Sequence, residues 1–370
     1  MKQLDDLIEE RKADHIEVCL KEDIQARKTA TGFEDVSLVH RALPEIEREK
    51  INLSTTVFGY NFSAPLFVGA MTGGTEKATK INAAISEAVE ELHLGMGVGS
   101  QRIAIDNPKL EHSFSVVREK APTAFIIANI GGPQLVTKYG IKEAKTAVEM
   151  VQANALAIHL NPLQEAVQPE GDTNYSNLLQ NIRKITQELD VPVIVKETGA
   201  GIAAEDAKLL EEAGVAGIDV AGAGGTSWAA VEYFRGAKAR QDVFSQGLRA
   251  TFWDWGIPTA VSLVEAGQST SLPVIASGGI RSGIDTAKAL ALGASLTSAT
   301  FPFLEPATKG SEDVKKVLQS LIGEVRNAMF LVGADSIQKL QKVPVVLTGK
   351  TAEWLKIRGF KPEDYARKKM

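Results

Sequence analysis

The stretch PVIASGGIRSG, residues 273–283, contains the unit from which the fold can be predicted. A short apolar run ends in glycines, and a segment with helical spacing begins directly after them. The same succession recurs from residue 65 onward. The apolar runs are PLFVGAM (65–71), LGMGVGS (94–100), AFIIANI (124–130), ALAIHLN (155–161), PVIVKE (192–197), GIDVAG (217–222), PVIASGG (273–279) and SLTSATF (295–301). They predict eight β-strands.

The segments between these runs have the pattern of amphipathic helices. In EKATKINAAISEAVEELH (76–93), apolar residues fall at helical spacing and charged residues fill the other face. AAEDAKLLEEAG (203–214) repeats the pattern. Strands that alternate with helices pair in parallel through crossovers, and strands apolar on both faces fit a sheet covered by helices. Eight such units predict a (β/α)8 TIM barrel, an α/β fold, in preference to an open doubly wound sheet.

The rest of the chain is predicted to extend this barrel. Residues 1–64 precede the first strand and are expected to form an N-terminal extension that packs on the barrel, while residues 65–370 form the barrel with C-terminal helices. A longer insert, roughly residues 227–272, follows the sixth strand and carries the aromatic residues Phe252, Trp253 and Trp255. Long loops at this position often cover an active site.

The composition limits the classes of partner. The chain has 370 residues, 44% of them hydrophobic, and a net charge of -5, which predicts a globular protein with no general attraction to nucleic acid or to anionic membranes. A small anionic ligand is compatible with this charge if local groups hold it. The one cysteine, Cys19, cannot form a disulfide within the chain, and no run approaches the roughly 20 apolar residues of a membrane span. These features predict a cytoplasmic protein.

Polar residues follow nearly every predicted strand. In a barrel these positions meet at the C-terminal mouth, where barrel enzymes carry out their chemistry. The residues are Met71, Thr72, Ser100, Gln101, Arg102, Asn129, His159, Asn161, Lys196, Glu197 and Thr226. The pattern therefore predicts one polar site at this mouth.

A phosphate site is predicted after the last two strands. The glycines of SGGIRSG (277–283) let backbone N–H groups approach an anion at the start of a helix, and SATF (298–301) holds the same position after the eighth strand. The alternative is that both are tight turns that need only backbone freedom. Two such turns in register favour the phosphate site.

Lys196 ends a buried apolar strand, where a lysine needs a partner. Two partners are open: an ion pair with Glu197 or another carboxylate, or the electron-rich edge of a cofactor.

The loop HLNPLQEAVQPEGD (159–172) is too polar to be explained by packing and predicts a ligand. His159 could instead be a core histidine, and Glu165 a charge at a helix start. As a ligand, the Glu165 carboxylate would suit Mg²⁺ that bridges to substrate phosphates. Arg11 and Lys12 lie in a charge-mixed stretch whose ordinary interpretation is a solvated helical face.

Nine motifs together resemble the type 2 isopentenyl diphosphate isomerases and cover nearly the whole chain. They are RKADH (11–15), AMTGG (70–74), GVGSQR (97–102), NIGGPQ (129–134), HLNPLQE (159–165), QPEGD (168–172), VKETGAG (195–201), GAGGTSW (222–228) and SGGIRSG (277–283). The resemblance implies an FMN-dependent barrel enzyme that interconverts isopentenyl and dimethylallyl diphosphate with reduced flavin and Mg²⁺. It also implies NAD(P)H as reductant, a small-molecule diphosphate as substrate, and a homotetramer or larger assembly.

The resemblance also assigns roles to individual residues. The substrate-binding residues would be Arg11, Lys12, Ser100, Gln101, Arg102 and Gln164. The FMN-binding residues would be Ala70, Met71, Thr72, Ser100, Asn129, Lys196, Thr226, Gly279, Ile280, Arg281, Ala299 and Thr300. Gln164, His159 and Asn161 would lie at the reacting part of the substrate, and Glu165 would bind the metal.

The α-hydroxy acid oxidases share this barrel and are the nearest competing interpretation. They carry a catalytic histidine and an arginine after strand six, in the pattern S-N-H-G-G-R, where this chain has Ala223 and Thr226. Neither the base nor the carboxylate anchor is present, which disfavours hydroxy acid oxidation. An FMN-dependent dehydrogenase with another substrate and a flavoprotein without turnover stay open. A cysteine acid, as in the unrelated type 1 isomerases, is disfavoured because Cys19 precedes the barrel.

Overall fold

The computed structural model describes residue 12, residues 14–238 and residues 243–368. Eight parallel strands, β1 to β8 in chain order, close into a barrel in which each strand pairs with the next one along the chain and β8 pairs with β1. They are β1 Leu66–Val68, β2 Gly95–Gly97, β3 Phe125–Gly131, β4 Ala155–His159, β5 Val193–Lys196, β6 Gly217–Asp219, β7 Val274–Ala276 and β8 Leu296–Ala299. Each predicted apolar run coincides with one strand, β3 extending one residue beyond its run, and the predicted barrel is confirmed.

The strands form where the sequence is apolar on both faces. Every residue of β3 is buried, and so is every residue of β4 except its last, His159, which is half-buried. The register aligns His159 with Lys196, and Lys196 with Asp219, along three neighbouring strands. Polar groups at the ends of β4, β5 and β6 are thereby brought side by side at one mouth of the barrel.

Helices cover the outside of the barrel. The helix predicted at 76–93 spans Glu76–Glu91 and is capped by Thr75, whose hydroxyl accepts the N–H of Ala78. The helix predicted at 203–214 spans Ala204–Glu212. Further α-helices among the described residues, besides one over 14–21, are Arg102–Asp106, His112–Lys120, Gly132–Thr137, Ile141–Met150, Pro162–Val167, Leu178–Glu188, Trp228–Lys238, Val243–Thr251, Thr259–Ser269, Gly283–Leu292, Phe301–Lys309, Ser311–Val332, Ile337–Leu340, Gly349–Ile357 and Pro362–Ala366.

Among the described residues, two short antiparallel pairs lie outside the barrel. Thr55–Val57 and Tyr60–Phe62 form a hairpin whose aromatic rings pack against Phe125 at the start of β3. This hairpin covers the N-terminal end of the barrel. Val36–Leu38 pairs with Val345–Leu347 and so ties the N-terminal part of the chain to its C-terminal part.

The N-terminal segment and the insert after β6 pack together at the C-terminal mouth. A helix over 14–21 buries Ile16 and Val18, and the stretch that follows pairs with the loop after β6 through an isolated bridge between Gln25 and Thr226. The Asp254 Oδ1 accepts the backbone N–H groups of 27–29, which fixes the stretch in place. In the described part of the chain, no helix is long and apolar enough to cross a membrane.

Candidate active site

A cavity of about 300 Å³ opens at the C-terminal mouth of the barrel, within the range of small-molecule sites. It is lined by nearly all of the residues that the sequence assigns to a site. These are Lys12, Ala70, Met71, Thr72, Ser100, Arg102, Asn129, His159, Asn161, Gln164, Glu165, Lys196, Thr226, Gly279, Ile280, Arg281, Ala299 and Thr300. Arg11 lies outside the described residues.

Gln101 and Glu197 do not line this cavity, and the predicted contact of Gln101 with substrate needs correction. The Gln101 side chain is fully buried behind the cavity wall. The amide Nε2 donates to the Ala147 carbonyl at 2.8 Å, and Oε1 accepts the backbone N–H of Asn129 at 2.8 Å. Both ends of the amide are therefore occupied by the protein, and Gln101 positions Asn129 instead of facing a ligand.

Asn129 and His159 form a neutral pair on the cavity wall. Asn129 Nδ2 donates to the Val98 carbonyl at 3.0 Å, so its Oδ1 accepts from His159 Nδ1 at 2.8 Å. This places the imidazole proton on Nδ1 and a lone pair on Nε2. Burial, helped by the charges of Lys196 and Lys12, lowers the pKa of His159 to about 3. His159 is therefore a neutral hydrogen-bonding group at neutral pH, not an acid.

Lys196 reaches into the cavity from the end of β5. Its Nζ donates to the backbone carbonyl of Glu197 and not to the Glu197 carboxylate. The ion pair that the sequence left open is thus absent at this lysine among the described residues. The ammonium is held by a neutral acceptor, which leaves its charge available to a ligand.

The turn after β7 has the form of an anion site. Gly278 and Gly279 have φ of +95° and +71°, which favours glycine. Ser282 and Asp285 form a capping box at the start of the next helix, and Asp285 Oδ2 also accepts the Arg281 N–H at 3.1 Å. Because this amide is occupied, Arg281 can contribute to an anion site through its guanidinium.

Arg281 links the turn to the N-terminal segment. Its Nη2 donates to Gln25 Oε1 at 2.9 Å, and the guanidinium lies 4.8 Å from the centre of the Phe301 ring. Burial lowers the pKa of Arg281 to about 10, so that it remains a cation at neutral pH. A buried cation beside glycine turns fits a phosphate.

Further cations lie across the cavity. Lys12 Nζ donates to the Ser100 carbonyl at 2.9 Å and lies 5.1 Å from the centre of the Phe114 ring. Arg102 lines the same wall, and its enclosed Nε has no hydrogen-bond partner in the part of the chain described. The cavity therefore has a second cationic region, separate from the turn that holds Arg281.

Glu165 is oriented by its neighbours. Its Oε1 accepts from Asn161 Nδ2 at 2.9 Å, and its Oε2 accepts from Gln168 Nε2 at 2.6 Å and from the Asp172 N–H at 2.7 Å. No group of three or more His, Cys, Asp or Glu side chains that could hold a metal occurs among the described residues. A single oriented carboxylate suits Mg²⁺ shared with phosphate oxygens.

Glu232, on the insert helix Trp228–Lys238, contacts the cavity-lining residues His15 and Gln164, and the sequence did not reveal it. It is fully buried and accepts from His15 Nε2 at 2.9 Å, from Arg235 Nε at 2.7 Å and from Gln164 Nε2 at 3.3 Å. Although burial opposes ionisation, the contacts with His15 and Arg235 lower the pKa of Glu232 to about 2. The signal in the sequence was a carboxylate within the apolar run WAAVEYF (228–234).

Asp219, at the end of β6, was also missed. It is 4% exposed, and its Oδ1 accepts from Ser277 Oγ. Burial raises the pKa of Asp219, while the charge of Lys196 opposes that shift. A buried carboxyl group thus lies beside Lys196 on the cavity wall.

Cys19 lies closer to the site than its sequence position suggested. It belongs to the helix over 14–21, yet it lines the cavity. Burial and the charge of Glu232 raise the pKa of the thiol to about 12. The thiol therefore stays protonated at neutral pH.

Known proteins resemble this chain over nearly its whole length. Residues 5–107 and 132–346 match the family model described as FMN-dependent dehydrogenase. The isopentenyl-diphosphate delta-isomerase of Methanosarcina barkeri is 53% identical over 96% of each chain. That of Methanothermobacter thermautotrophicus is 49% identical over 98% of this chain and 100% of the relative. That of Pyrococcus furiosus is 50% identical over 94% of this chain and 89% of the relative.

Solved structures with the same fold are more distant in sequence. A mandelate oxidase variant with a C4a-OH-FMN adduct superimposes with a TM-score of 0.61 at 19% identity, covering 92% of this chain and 98% of that chain. A Pediococcus acidilactici protein assigned as a lactate oxidase gives a TM-score of 0.63 at 18% identity, covering 94% of each chain. This similarity concerns the barrel fold alone.

Proposed function

The chain belongs to the FMN-dependent dehydrogenase family and, within it, to the isopentenyl-diphosphate delta-isomerases, and we propose that it interconverts isopentenyl and dimethylallyl diphosphate over reduced FMN with Mg²⁺ on the diphosphate. The observation that carries the proposal is the pairing of two cationic regions in one cavity. A flavin phosphate and a substrate diphosphate each need such a region.

The FMN phosphate fits the turns after β7 and β8. A side chain at Gly225, in the loop after β6, would meet the Gly279 backbone at 2.5 Å, so glycine is required where this loop approaches the turn after β7. The N–H groups of Gly279 and Ile280 and the guanidinium of Arg281 would hold the phosphate. Ala70, Met71, Thr72, Ser100, Asn129, Lys196, Thr226, Ala299 and Thr300 would contact the rest of FMN. When bound, reduced FMN supplies an electron-rich ring that stabilises positive charge and an N5 region that carries a proton.

The substrate diphosphate fits the other region. Lys12 and Arg102 supply positive charge there, with Arg11 proposed beside them, and Glu165 would hold Mg²⁺ against the phosphate oxygens. Firm binding at this end fixes the alkene relative to the flavin, which is the main contribution that positioning makes to the reaction.

The residues near the alkene orient it and exclude water. Isomerisation adds a proton to a terminal methylene and removes one from a neighbouring carbon, so positive charge that develops must be shielded from water. Gln164 cannot act as a conventional acid, because an amide has no useful pKa. It can orient a group between the substrate and the ionised Glu232, while His159 and Asn161 donate and accept hydrogen bonds as neutral groups. Trp228 and the N-terminal helix would exclude water from this part of the cavity, and this exclusion would favour the isomerisation.

The proposal is tested with purified protein and isopentenyl diphosphate. The protein should be yellow, should form dimethylallyl diphosphate only when its flavin is reduced and Mg²⁺ is present, and should consume no net reductant during turnover. Stoichiometric oxidation of NAD(P)H would instead indicate a dehydrogenase with another substrate. Bound FMN without turnover would indicate a flavoprotein that only binds the cofactor.

Two further parts of the proposal need separate measurements. NAD(P)H is proposed as the reductant of the flavin, which anaerobic reduction followed by absorbance checks. A homotetramer or larger assembly is proposed as well, and Ile357 and Leu43, which are 79% and 68% exposed, are apolar residues that an assembly could cover. Light scattering of the flavin-bound protein measures its mass.

A further inference from the structure

Glu197 follows Lys196 at the end of β5 and carries a buried charge that the proposed chemistry does not use. The residue is 4% exposed. Its Oε2 accepts the backbone N–H groups of Thr198 and Gly199 at 2.6 Å and that of Ala200. Its Oε1 has no hydrogen-bond partner within the part of the chain that is described. One oxygen that accepts from consecutive amides fixes the path of the backbone, as in an anion held by a nest of N–H groups.

The turn that this carboxylate holds has an unusual conformation. Gly199 has φ +140° and Gly201 has φ +83°, both outside the range that other residues adopt easily. Glycine at both positions makes this path possible but does not select it, because glycine is free to adopt many conformations. The hydrogen bonds to Glu197 select the path from inside the turn, and Gly199 itself lines the cavity.

The same turn determines where the Lys196 ammonium lies. Lys196 Nζ donates to the carbonyl oxygen of Glu197, the residue whose carboxylate shapes the turn. A second carboxyl group, that of Asp219, is within electrostatic reach, because the charge of Lys196 opposes the rise in the pKa of Asp219 that burial causes. If the turn changed its path, the carbonyl would move and Asp219 would compete for the ammonium.

We propose that Glu197 is a positioning residue for the flavin: its carboxylate shapes the turn after β5 so that its carbonyl holds the Lys196 ammonium at the cofactor. The inference rests on the proposed function, since it needs FMN in this cavity. It concerns a residue that does not itself touch the flavin in this arrangement and acts through Lys196.

The positioning depends on pH. Burial raises the pKa of Glu197 to about 7, against the hydrogen bonds from its amides and the charge of Lys196. The other titratable groups nearby are Asp219 on β6 and Tyr175 on the loop after β4, whose own pKa burial raises with a smaller contribution from Glu197. A protonated carboxyl is a weaker acceptor than a carboxylate. The turn is therefore held more firmly at pH 8 than at pH 6.

The test is a spectroelectrochemical titration of the FMN-bound protein at both pH values without substrate. A cation near the flavin stabilises its reduced form, so Lys196→Met should lower the midpoint potential. We expect Glu197→Gln to lower the midpoint potential as well, and to lower it more at pH 8 than at pH 6. The double variant should lie no lower than Lys196→Met, because the two residues act as one unit.

Two results would overturn the inference. A higher potential in Glu197→Gln would mean that the carboxylate acts on the flavin by its own charge. An unchanged potential, with only a lower unfolding temperature, would mean that Glu197 merely stabilises the fold. Failure of the wild type to bind FMN would overturn the proposed function. Normal FMN binding by the wild type together with either of these two results would overturn only the inference about Glu197.

Asp254 provides the matched control, because its Oδ1 also accepts three consecutive amides, those of Arg27, Lys28 and Thr29. Asp254→Asn should leave the potential unchanged. Glu197→Asp keeps the charge and should lie between the wild type and the Gln variant. If Glu197→Gln does not fold, Glu197→Asp still shows whether the midpoint potential rises or falls.

Discussion

Gln164 Nε2 donates to Glu232 Oε1 at 3.3 Å and so connects the loop after β4 to the insert helix after β6. Glu232 is in turn held by His15 from the N-terminal helix and by Arg235. Three segments that are far apart in sequence therefore meet at one buried carboxylate. This contact makes the orientation of the Gln164 amide depend on the docking of both covering segments.

Glu232→Gln should lower the rate of isomerisation while FMN stays bound. The uncharged amide keeps the size of the side chain but loses the charge-assisted contacts with His15 and Arg235, so Gln164 is no longer held. A misplaced positioning group of this kind costs about 100-fold in kcat. Steady-state kinetics with reduced FMN measures the effect.

Glu170→Gln is the matched control, because Glu170 binds the other side of Arg235 at 2.7 Å with its side chain 44% exposed. It should retain wild-type kinetics. Equal kcat in Glu232→Gln and Glu170→Gln would contradict the assigned role of Glu232.

The sequence predicted the barrel because its physical signal is local. Most strands lie in short runs that are apolar on both faces, and each run ends in or is followed by glycine or polar residues, so this repeating pattern located β1 to β8. Strand-end positions such as Asn129 and Lys196 then followed from the geometry of a parallel barrel. Contacts made through the insert did not follow, because Glu232 reaches the site by packing between segments. The sequence also did not show which way each side chain points. Gln101 and Ser100 are neighbours, yet the Gln101 side chain points away from the cavity.

The stability of the protein should depend on His159 below neutral pH. In the folded protein the pKa of His159 is lowered from 6.5 to about 3. Between these values the unfolded chain binds more protons than the folded one, so stability falls as the pH drops through this window. Between pH 7 and pH 5 the wild type should lose about 2 kcal/mol more than His159→Asn.

Urea unfolding at the two pH values measures this difference. His112→Asn is the control, since the His112 side chain is 65% exposed, and it should lose as much stability as the wild type. Equal losses in wild type and His159→Asn would show that His159 takes up its proton normally in the folded protein.

Glu165→Gln should weaken the dependence on Mg²⁺ without loss of FMN. The amide keeps the contacts with Asn161 but removes the negative charge that a hard cation requires. The Mg²⁺ concentration for half-maximal activity should rise at least about 10-fold. Asp172→Asn, in the same loop, should leave it unchanged, and an unaltered Mg²⁺ response in Glu165→Gln would refute the metal assignment.

Cys19→Ala should retain isomerase activity although Cys19 lines the cavity. A thiol whose pKa is raised to about 12 is a poor proton donor at neutral pH. Its neighbours Val18, Ile24 and Trp253 form an apolar cluster, so the cysteine acts there as a small hydrophobic side chain. The kcat should stay within about twofold of the wild type, and a dead variant with normal FMN absorbance would restore the cysteine-acid mechanism.

Gln101→Leu separates a supporting role from substrate binding. The substitution leaves the Asn129 N–H and the Ala147 carbonyl without their buried partner, which should lower the free energy of unfolding by about 2 kcal/mol or more. Because Asn129 then loses its anchor, FMN affinity should fall while the KM for isopentenyl diphosphate stays unchanged. Arg102→Gln, on the cavity side of the same turn, should do the reverse and raise KM with FMN affinity and stability intact. If Gln101→Leu instead raised KM and left FMN affinity unchanged, the side chain would bind substrate, and the residue would have to turn toward the cavity during turnover.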